Sequence, residues 1–350
     1  MSLAPYQVHA LLNRGGSVRT TRIRLLSLTL VVALAGTALL GCTKAVDSEP
    51  VSDGMSISTT PEPIRIGTLP TEDALPLWVA EEKGLFEKAG LSVEITTFQA
   101  AQERDAAFAS GAIDAYMGDI IASAGLEAGD ARVSLATVML GATAKEGRFG
   151  IVAKPDSKAK TLADLADVPV GTSSASIQEY VIDGLMAAAN VPADKVKKEI
   201  VAKVPVRFEL LMNGKLEAAA LPEPFLTLAV AQGAVLIADD TTGENLTQTV
   251  LGISDKYLAV PGGMLTAKML LDVWDESVDI INADPNSFRA LLVDKARLPE
   301  PLKDTYPVNA YPKAAAPTQA QVDPVLKWMK GKGLLKTDVT YVDLVQALPE

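Results

Sequence analysis

Histidine and cysteine are almost missing from this sequence of 350 residues: each occurs once, as His9 and Cys42. Beyond residue 42 there is neither imidazole nor thiol. That excludes Ser-His-Asp and Cys-His catalysis, histidine or thiolate metal sites, and disulfides from the remainder of the chain. Aromatic residues make up only 5%. Positive charge is also short, with 32 Lys+Arg against 43 Asp+Glu and a net charge of −11. Such an acidic surface argues against nucleic acid or anionic lipid as a partner. Neither a P-loop nor a G-x-G-x-x-G is present.

The first residues differ from the rest. Residues 1–41 hold four arginines (Arg14, Arg19, Arg22, Arg24) and no acid. An apolar run over 25–40 follows, broken only by Ser27, Thr29, Gly36 and Thr37, and it closes on Leu39-Leu40-Gly41-Cys42. A basic head, an apolar core and a small residue before the cut make an export signal. The run is short of the about 20 residues of a comfortable bilayer span. Arg22 and Arg24 are not adjacent, so there is no twin-arginine motif. The ending LLGC resembles the bacterial lipobox, which implies that Cys42 is acylated, becomes the mature N-terminus and anchors the protein outside the cytoplasm. Cleavage there discards the four arginines and His9, which makes the mature chain more acidic still. Residues 43–63 are rich in Ser, Thr, Pro and Asp and read as a flexible tether, with a reach of roughly 25 Å.

From Ile64 onward the pattern is globular, and a length of roughly 290 residues exceeds the usual single core and predicts two lobes. Strand and helix patterns alternate. Strands are expected at 64–69, 91–98, 113–117, 133–140, 149–153, 168–171, 199–204, 216–221 and 234–238. Helices are expected at 73–88, 101–110, 120–128, 162–166, 177–190, 206–213 and 225–232, with a mainly helical region from about Met264. Gly90 stands where a helix C-cap glycine belongs. This alternation predicts an α/β protein with parallel βαβ units and sheets covered on both faces. No solenoid-type repeat is evident.

Four blocks carry a resemblance. They are PLWVAEEKGLFEKAGLSVE (76–94), ERDAAFASGAIDAYMGD (103–119), TLADLADVPVGTSS (161–174) and LLMNGKLEAAALPEPF (210–225). In this order they resemble the SsuA/TauA/NMT1-like solute-binding proteins of ABC importers, from about Ile64 to at least Val250. The tail VLKWMKGKGLLK (325–336) matches more weakly. The resemblance implies the two-lobed periplasmic-binding-protein type II fold, with each lobe a mixed sheet flanked by helices. It divides the chain into a signal (1–41), a lipidated tether (42–63), the first part of lobe one (64–147), lobe two (148–250), and the completion of lobe one with C-terminal helices (251–350). The chain is expected to cross between lobes near 143–148 and 249–255. The implied partners are a small-molecule ligand, the permease and ATPase subunits, and the membrane through the lipid anchor. A monomer without cofactor or metal is expected.

Ligands of open α/β sheets bind beyond the carboxyl ends of strands. The candidates there are Pro70, Glu72 and Trp78 after the first strand, with Asp73 adjoining. Gln99 follows the second strand, and Gly118 and Asp119 follow the third. In lobe two they are Ser173, Ser174 and Ser176, then Glu223 between Pro222 and Pro224. Several have an ordinary structural alternative: a core aromatic for Trp78, helix N-caps for Asp119, Ser174 and Ser176, and first-turn stabilisation for Glu223. No arginine stands at these strand ends. Arg148, at a crossing, is the remaining cation and reads equally as a hinge ion pair. Glu72, Asp73, Asp119 and Glu223 make the predicted cleft acidic. They favour a neutral or amine-bearing solute, such as a thiamine-precursor pyrimidine, over a sulfonate- or nitrate-type anion.

The other readings are an enzyme on the same fold and a structural lipoprotein. Pyrimidine synthases of this fold use histidines and a cysteine-rich segment that the mature chain lacks. Ser157-Lys158-Ala159-Lys160 matches S-x-x-K of Ser-Lys hydrolases, but in a polar loop and without a K-T-G partner. The acidic stretch 239–245 lacks EF-hand spacing and reads as a surface turn. Trp274 and Trp328 are expected in the core. The proline-rich stretch 298–318 is expected to cross near the cleft mouth, where Tyr306 or Tyr311 could reach a ligand.

Overall fold

The computed structural model describes residues 60–242 and 245–346. Cys42, the stretch expected to be an export signal and most of the expected tether lie outside them, as do Gly243 and Glu244 of the acidic stretch. Among the described residues, ten strands form two sheets. Their bounds are β1 Ile64–Thr68, β2 Val93–Thr97, β3 Ala115–Asp119, β4 Val133–Leu140, β5 Phe149–Ala153, β6 Pro169–Thr172, β7 Lys197–Ile200, β8 Ala218–Pro222, β9 Val235–Asp239 and β10 Thr249–Ser254. The order is β2-β1-β3-β10-β4 in one sheet and β7-β6-β8-β5-β9 in the other. In lobe one β1 is parallel to β2 and β3, and β10 is antiparallel to both its neighbours. In lobe two β6 is parallel to β7 and β8, and β5 is antiparallel to β8 and β9. The protein is thus α/β, as the alternating pattern implies, and its two sheets flanked by helices are mixed, as the resemblance implies; the purely parallel units read from the alternation are interrupted by the antiparallel β10 and β5.

Several local readings differ. The strand expected at 199–204 lies earlier, at Lys197–Ile200 beside β6, and Val204, with Pro205 in the first turn, already begins the next helix. The expected helix over 73–88 is broken into a 3-10 turn Glu72–Ala74 and helices Leu75–Glu82 and Leu85–Lys88. Gly84 breaks it by adopting φ 65°, a left-handed conformation that costs glycine little. The stretch 249–255 is not the second crossing. Residues Thr249–Ser254 form β10, inserted between β3 and β4, so the chain returns to lobe one before Thr249.

The crossings decide where the two sheets face each other. Thr249 pairs with Asp119 at the carboxyl end of β3 and with Leu140 at the end of β4. Phe149 pairs with Pro222 at the carboxyl end of β8. Both crossings therefore join carboxyl edges, which sets those edges opposite one another. The crossings are stitched together where Asn245 Nδ2 of the second donates to the Gly141 carbonyl of the first. Just past the second crossing, Thr249 Oγ1 at the start of β10 donates to Asp73 Oδ1 of lobe one at 2.8 Å. Gly141 has φ 87°, and a Cβ there would overlap the Thr247 carbonyl, so the position requires glycine.

Lobe one is centred on Ile64, Ile66, Leu75, Trp78, Leu140 and Trp274. Lobe two has a cluster on each sheet face, one around Ile151, Val170 and Val181 and one around Val152, Leu211 and Leu221. The lobes also touch. Leu228 of lobe two joins the lobe-one cluster, while Ile177 and Tyr180 of lobe two pack with Ile120, Ile121 and Val325. Trp328 is half-buried at this seam rather than in a lobe core. Its ring lies edge-on to Tyr180 at 5.3 Å, and its Nε1 donates to Asp183 Oδ2 at 2.8 Å. Lys332 and Lys198 also bind Asp183, at 2.8 and 2.6 Å.

Candidate functional site

The facing edges bring most of the expected residues into one region. After β1, Pro70 is half-buried and Glu72 is buried at 5% exposure. The proline-rich stretch reaches Glu72: Tyr306 Oη donates to Glu72 Oε2 and Tyr311 Oη to the Glu72 carbonyl, both at 2.7 Å. Both tyrosines are buried. Burial first, and then the Asp73 charge, push the Glu72 carboxyl up to about 8, against the Tyr306 hydrogen bond that opposes the shift. The charge of Glu223 in lobe two adds a smaller push in the same direction.

Glu223 has its own partners. Its Oε1 accepts from Thr227 Oγ1 at 2.8 Å and from Arg148 Nη1 at 3.3 Å, and its Oε2 accepts from Thr227 N at 3.1 Å. Burial raises its pKa as well. Arg148 also donates through Nε to Asp239 at 2.8 Å, so it is an ion-pairing residue at the hinge. Asp119 caps the helix Ile120–Ala128 by accepting from Ala122 N at 2.8 Å. Asp73 accepts from Thr249. All four acids expected to colour the cleft are therefore engaged within the protein.

The other candidates divide. Gln99 is exposed at the end of β2, and Arg297 Nη1 donates to its Oε1 at 2.9 Å. Gly118 lies within β3, where a Cβ would stand 2.5 Å from the Tyr116 ring, so close packing explains the glycine. Trp78, at 1% exposure, sits in the lobe-one core and is not brought to the strand-end group. Ser174 is exposed, whereas Ser176 caps the helix Ile177–Ala188 by accepting from Glu179 N at 3.3 Å. Ser173 is buried; its Oγ donates to the Ala202 carbonyl at 3.0 Å and accepts from Arg207 Nη1 at 3.1 Å.

Arg207 is the residue that reading the sequence missed. It lies on the helix Val204–Met212, is 0% exposed, and reaches under the carboxyl ends of three strands. Besides Ser173 beyond β6, its Nη1 donates to the Val201 carbonyl beyond β7 at 2.7 Å, and its Nε donates to the Ala220 carbonyl of β8 at 2.9 Å. The signal that finds it is a repeat between the lobes. Arg104, Gly111, Ile113, Asp114 and Ala115 recur at identical spacing as Arg207, Gly214, Leu216, Glu217 and Ala218. Arg104 is likewise buried and donates to the Met117 carbonyl at 2.6 Å.

A cavity between the lobes is about 10 Å³, lined by Asp119, Ile120 and Ile121 from one side and Ile177 and Tyr180 from the other. That is space for about one water molecule. A cavity of about 460 Å³ lined by Leu135, Leu271, Ala314 and Tyr341 draws no residue from lobe two and lies away from the strand ends. The hydrolase motif is taken apart by its contacts. Ser157 Oγ donates to Glu217 at 2.8 Å, while Lys160 Nζ reaches the Ser157 carbonyl rather than its hydroxyl. Asp239 and Asp240 of the acidic stretch bind Arg148, Thr241, Thr247 and the Phe149 amide. Among the described residues, no helix is long and apolar enough to cross a membrane.

Known structures share this architecture. The periplasmic aliphatic sulphonate-binding protein SsuA of Escherichia coli superposes with a TM-score of 0.68 at 18% identity, covering 83% of this chain and 94% of that one. The alkanesulfonate-binding SsuA of Xanthomonas axonopodis pv. citri, bound to MOPS, gives 0.67 at 18% identity, covering 83% and 99%. A DszB mutant in complex with biphenyl-2-sulfinic acid gives 0.56 at 16% identity, covering 79% and 94%. At these identities the likeness speaks for the fold. No functionally curated protein matches the sequence. The model of the NMT1-like family matches residues 58–260, which is more than half of the chain and takes in both crossings, all ten strands and every strand-end residue described above; the chain belongs to the NMT1-like family.

Proposed function

We propose that this protein is the extracytoplasmic solute-binding receptor of an ABC importer. It captures a small organic solute between its lobes and hands it to a permease. The observation that carries this reading is the opposition of two carboxyl edges across a pair of stitched crossings. That geometry makes a cleft whose walls move as units about a hinge. Drug-sized ligands occupy roughly 300–1,000 Å³, so the lobes part to admit one. Solute-binding neighbours of the same fold support the role. No step needs a nucleophile, and the one hydrolase-like motif has no serine–lysine contact.

The anchor belongs to the same proposal. Acylation of Cys42 holds the receptor on the outer face of the membrane, and the tether keeps it beside the permease. Replacing Cys42 with Ser is expected to move the protein from the membrane fraction to the soluble one. Of the two ligand chemistries left open, the neutral or amine-bearing solute loses support from the acids, because each already has a partner. A sulfonate- or nitrate-type anion regains it.

Thermal denaturation of the full chain against pools of small solutes tests the role. A receptor gains RT ln(1 + [L]/Kd), about 2.7 kcal/mol at a hundredfold excess over Kd, which appears as a rise of several degrees. If no pool shifted the midpoint while hydrolysis of an ester or amide appeared, the receptor reading would fail and the enzyme reading would replace it.

A further inference from the structure

The two lobes handle the same buried arginine differently. In lobe one the residue after Arg104 is Asp105, and Arg104 Nη2 and Nε both donate to Asp105 Oδ1, at 2.6 and 3.0 Å. The Tyr116 ring also lies 5.2 Å from the Arg104 guanidinium. In lobe two the position of Asp105 is taken by Phe208, whose ring instead packs on Phe225 at 5.5 Å. Arg207 thus keeps its carbonyl partners and loses its counter-ion. Among the described residues, the one buried side-chain nitrogen or oxygen with no hydrogen-bond partner is Arg207 Nη2.

Native proteins rarely leave such a group alone, because an uncompensated buried charge and an unmade hydrogen bond are both costly. Burial pushes the Arg207 pKa down to about 10, with no neighbouring carboxylate contributing, so the group remains a cation at neutral pH. It lies at the carboxyl edge of the lobe-two sheet, the edge that faces lobe one. Its Nη1 holds Ser173, the exposed Ser174 is next in the chain, and Ser176 begins a helix of 12 residues whose N-terminal end favours negative charge.

We propose that Arg207, with Ser173 and Ser174, anchors an oxyanion of the ligand in lobe two, the ligand supplying the counter-ion that Asp105 supplies to Arg104. The ligand class is then a small organic solute with a sulfonate, phosphate or carboxylate end, and uptake begins with that end seated on lobe two while the lobes are apart. This rests on the receptor reading and narrows it.

The test measures thermal midpoint and isothermal heats for the full chain with sodium sulfate, methanesulfonate, phosphate, nitrate and acetate. Sodium chloride at equal ionic strength is the control. Wild type is expected to bind at least one of these oxyanions saturably. Arg207→Lys, which keeps the charge but loses the planar fork, should weaken that binding about tenfold. Phe208→Asp restores the lobe-one pairing and should abolish it. Should Arg207→Lys fail to fold, Phe208→Asp and the exposed Ser174→Ala, expected to weaken binding two- to fivefold, still decide. Saturable binding unchanged in these variants overturns the proposal, as does its absence from wild type. In that second case a midpoint shift with uncharged or amine solutes would keep the receptor reading alive, and no shift with any solute would sink both.

Discussion

Lobe one and lobe two are built on one plan and differ in what they leave unsatisfied. In each, a helix after the second strand of the parallel trio sends an arginine to a strand carbonyl thirteen residues later. In each, a glycine on the first strand of the trio makes room for that arginine. A Cβ on Gly67 would meet Arg104 Cγ at 3.3 Å, and one on Gly171 would meet Arg207 Cγ at the same distance. Lobe one completes the arrangement with Asp105 and the Tyr116 ring. Lobe two completes it with neither. The difference teaches that a shared scaffold element can be fully paired in one copy and left with an unpartnered nitrogen in the other, and that the counter-ion distinguishes them.

The comparison is broken most forcefully by removing each arginine. Arg104→Met deletes a buried cation together with its ion pair and cation–π contact, and is expected to destabilise by about 3 kcal/mol. Arg207→Met also orphans carbonyls but removes an uncompensated charge, so its cost should be about half as large. Urea unfolding of the two variants decides, and equal costs would mean that the lobes do not differ as described.

The cleft acids give the next effect. Glu72 is raised from 4.5 to about 8, so the folded protein holds a proton that the unfolded chain releases. Its stabilising contribution is full below about 4.5 and is lost as pH rises toward 8, by up to about 1.4 kcal/mol per pH unit. Asp240, pushed up to about 6 by burial, adds a slope of the same sign at lower pH. Glu72→Gln should flatten the fall between about pH 6 and 8, as read from thermal midpoints. At the seam the sign reverses. Asp183 is buried in part, which opposes ionisation, but Lys198, Lys332 and Trp328 outweigh that and hold its pKa below 3.8. Its contribution is present above 3.8 and is lost as pH falls through the lower folded value.

A smaller effect sharpens the equivalence of the lobes. Gly67→Ala would press on Ile113 Cδ1, and Gly171→Ala on Leu216 Cδ1 at 2.7 Å, which are matching positions of the repeat. Both should cost about 1–3 kcal/mol, and within about 1 kcal/mol of each other, by chemical denaturation. The smallest effect belongs to Lys160→Ala, a loop side chain that binds only a carbonyl. It should change stability by less than about 0.5 kcal/mol and leave solute binding untouched.

Much of the architecture was legible because each strand ends at a turn signal and each helix carries an apolar stripe. Strands β4 and β5 and the helix Ile120–Ala128 fall where the pattern puts them. Strand β10 was read as a crossing because its partners, β3 and β4, lie more than a hundred residues earlier and nothing local marks the insertion. The acids of the cleft were legible as residues but not as partnered groups, since Tyr306 reaches Glu72 from 234 positions away. Arg207 escaped for the opposite reason. Its importance lies in a missing neighbour, and an absence becomes visible only when Arg104 and Asp105 are set beside it.

The tryptophans are placed unevenly. Trp78 and Trp274 are sealed in lobe one, lobe two has none between Phe149 and Asp240, and Trp328 stands on the seam with its indole N–H on Asp183. Parting the lobes would strip Trp328 of an aromatic neighbour and a carboxylate at once, and would leave the other two in the same surroundings. If the lobes part as proposed, the protein carries its own optical gauge: two constant emitters as an internal standard and one whose emission shifts as the seam opens. Opening can be followed in the unlabelled chain, and Trp328→Phe supplies the blank.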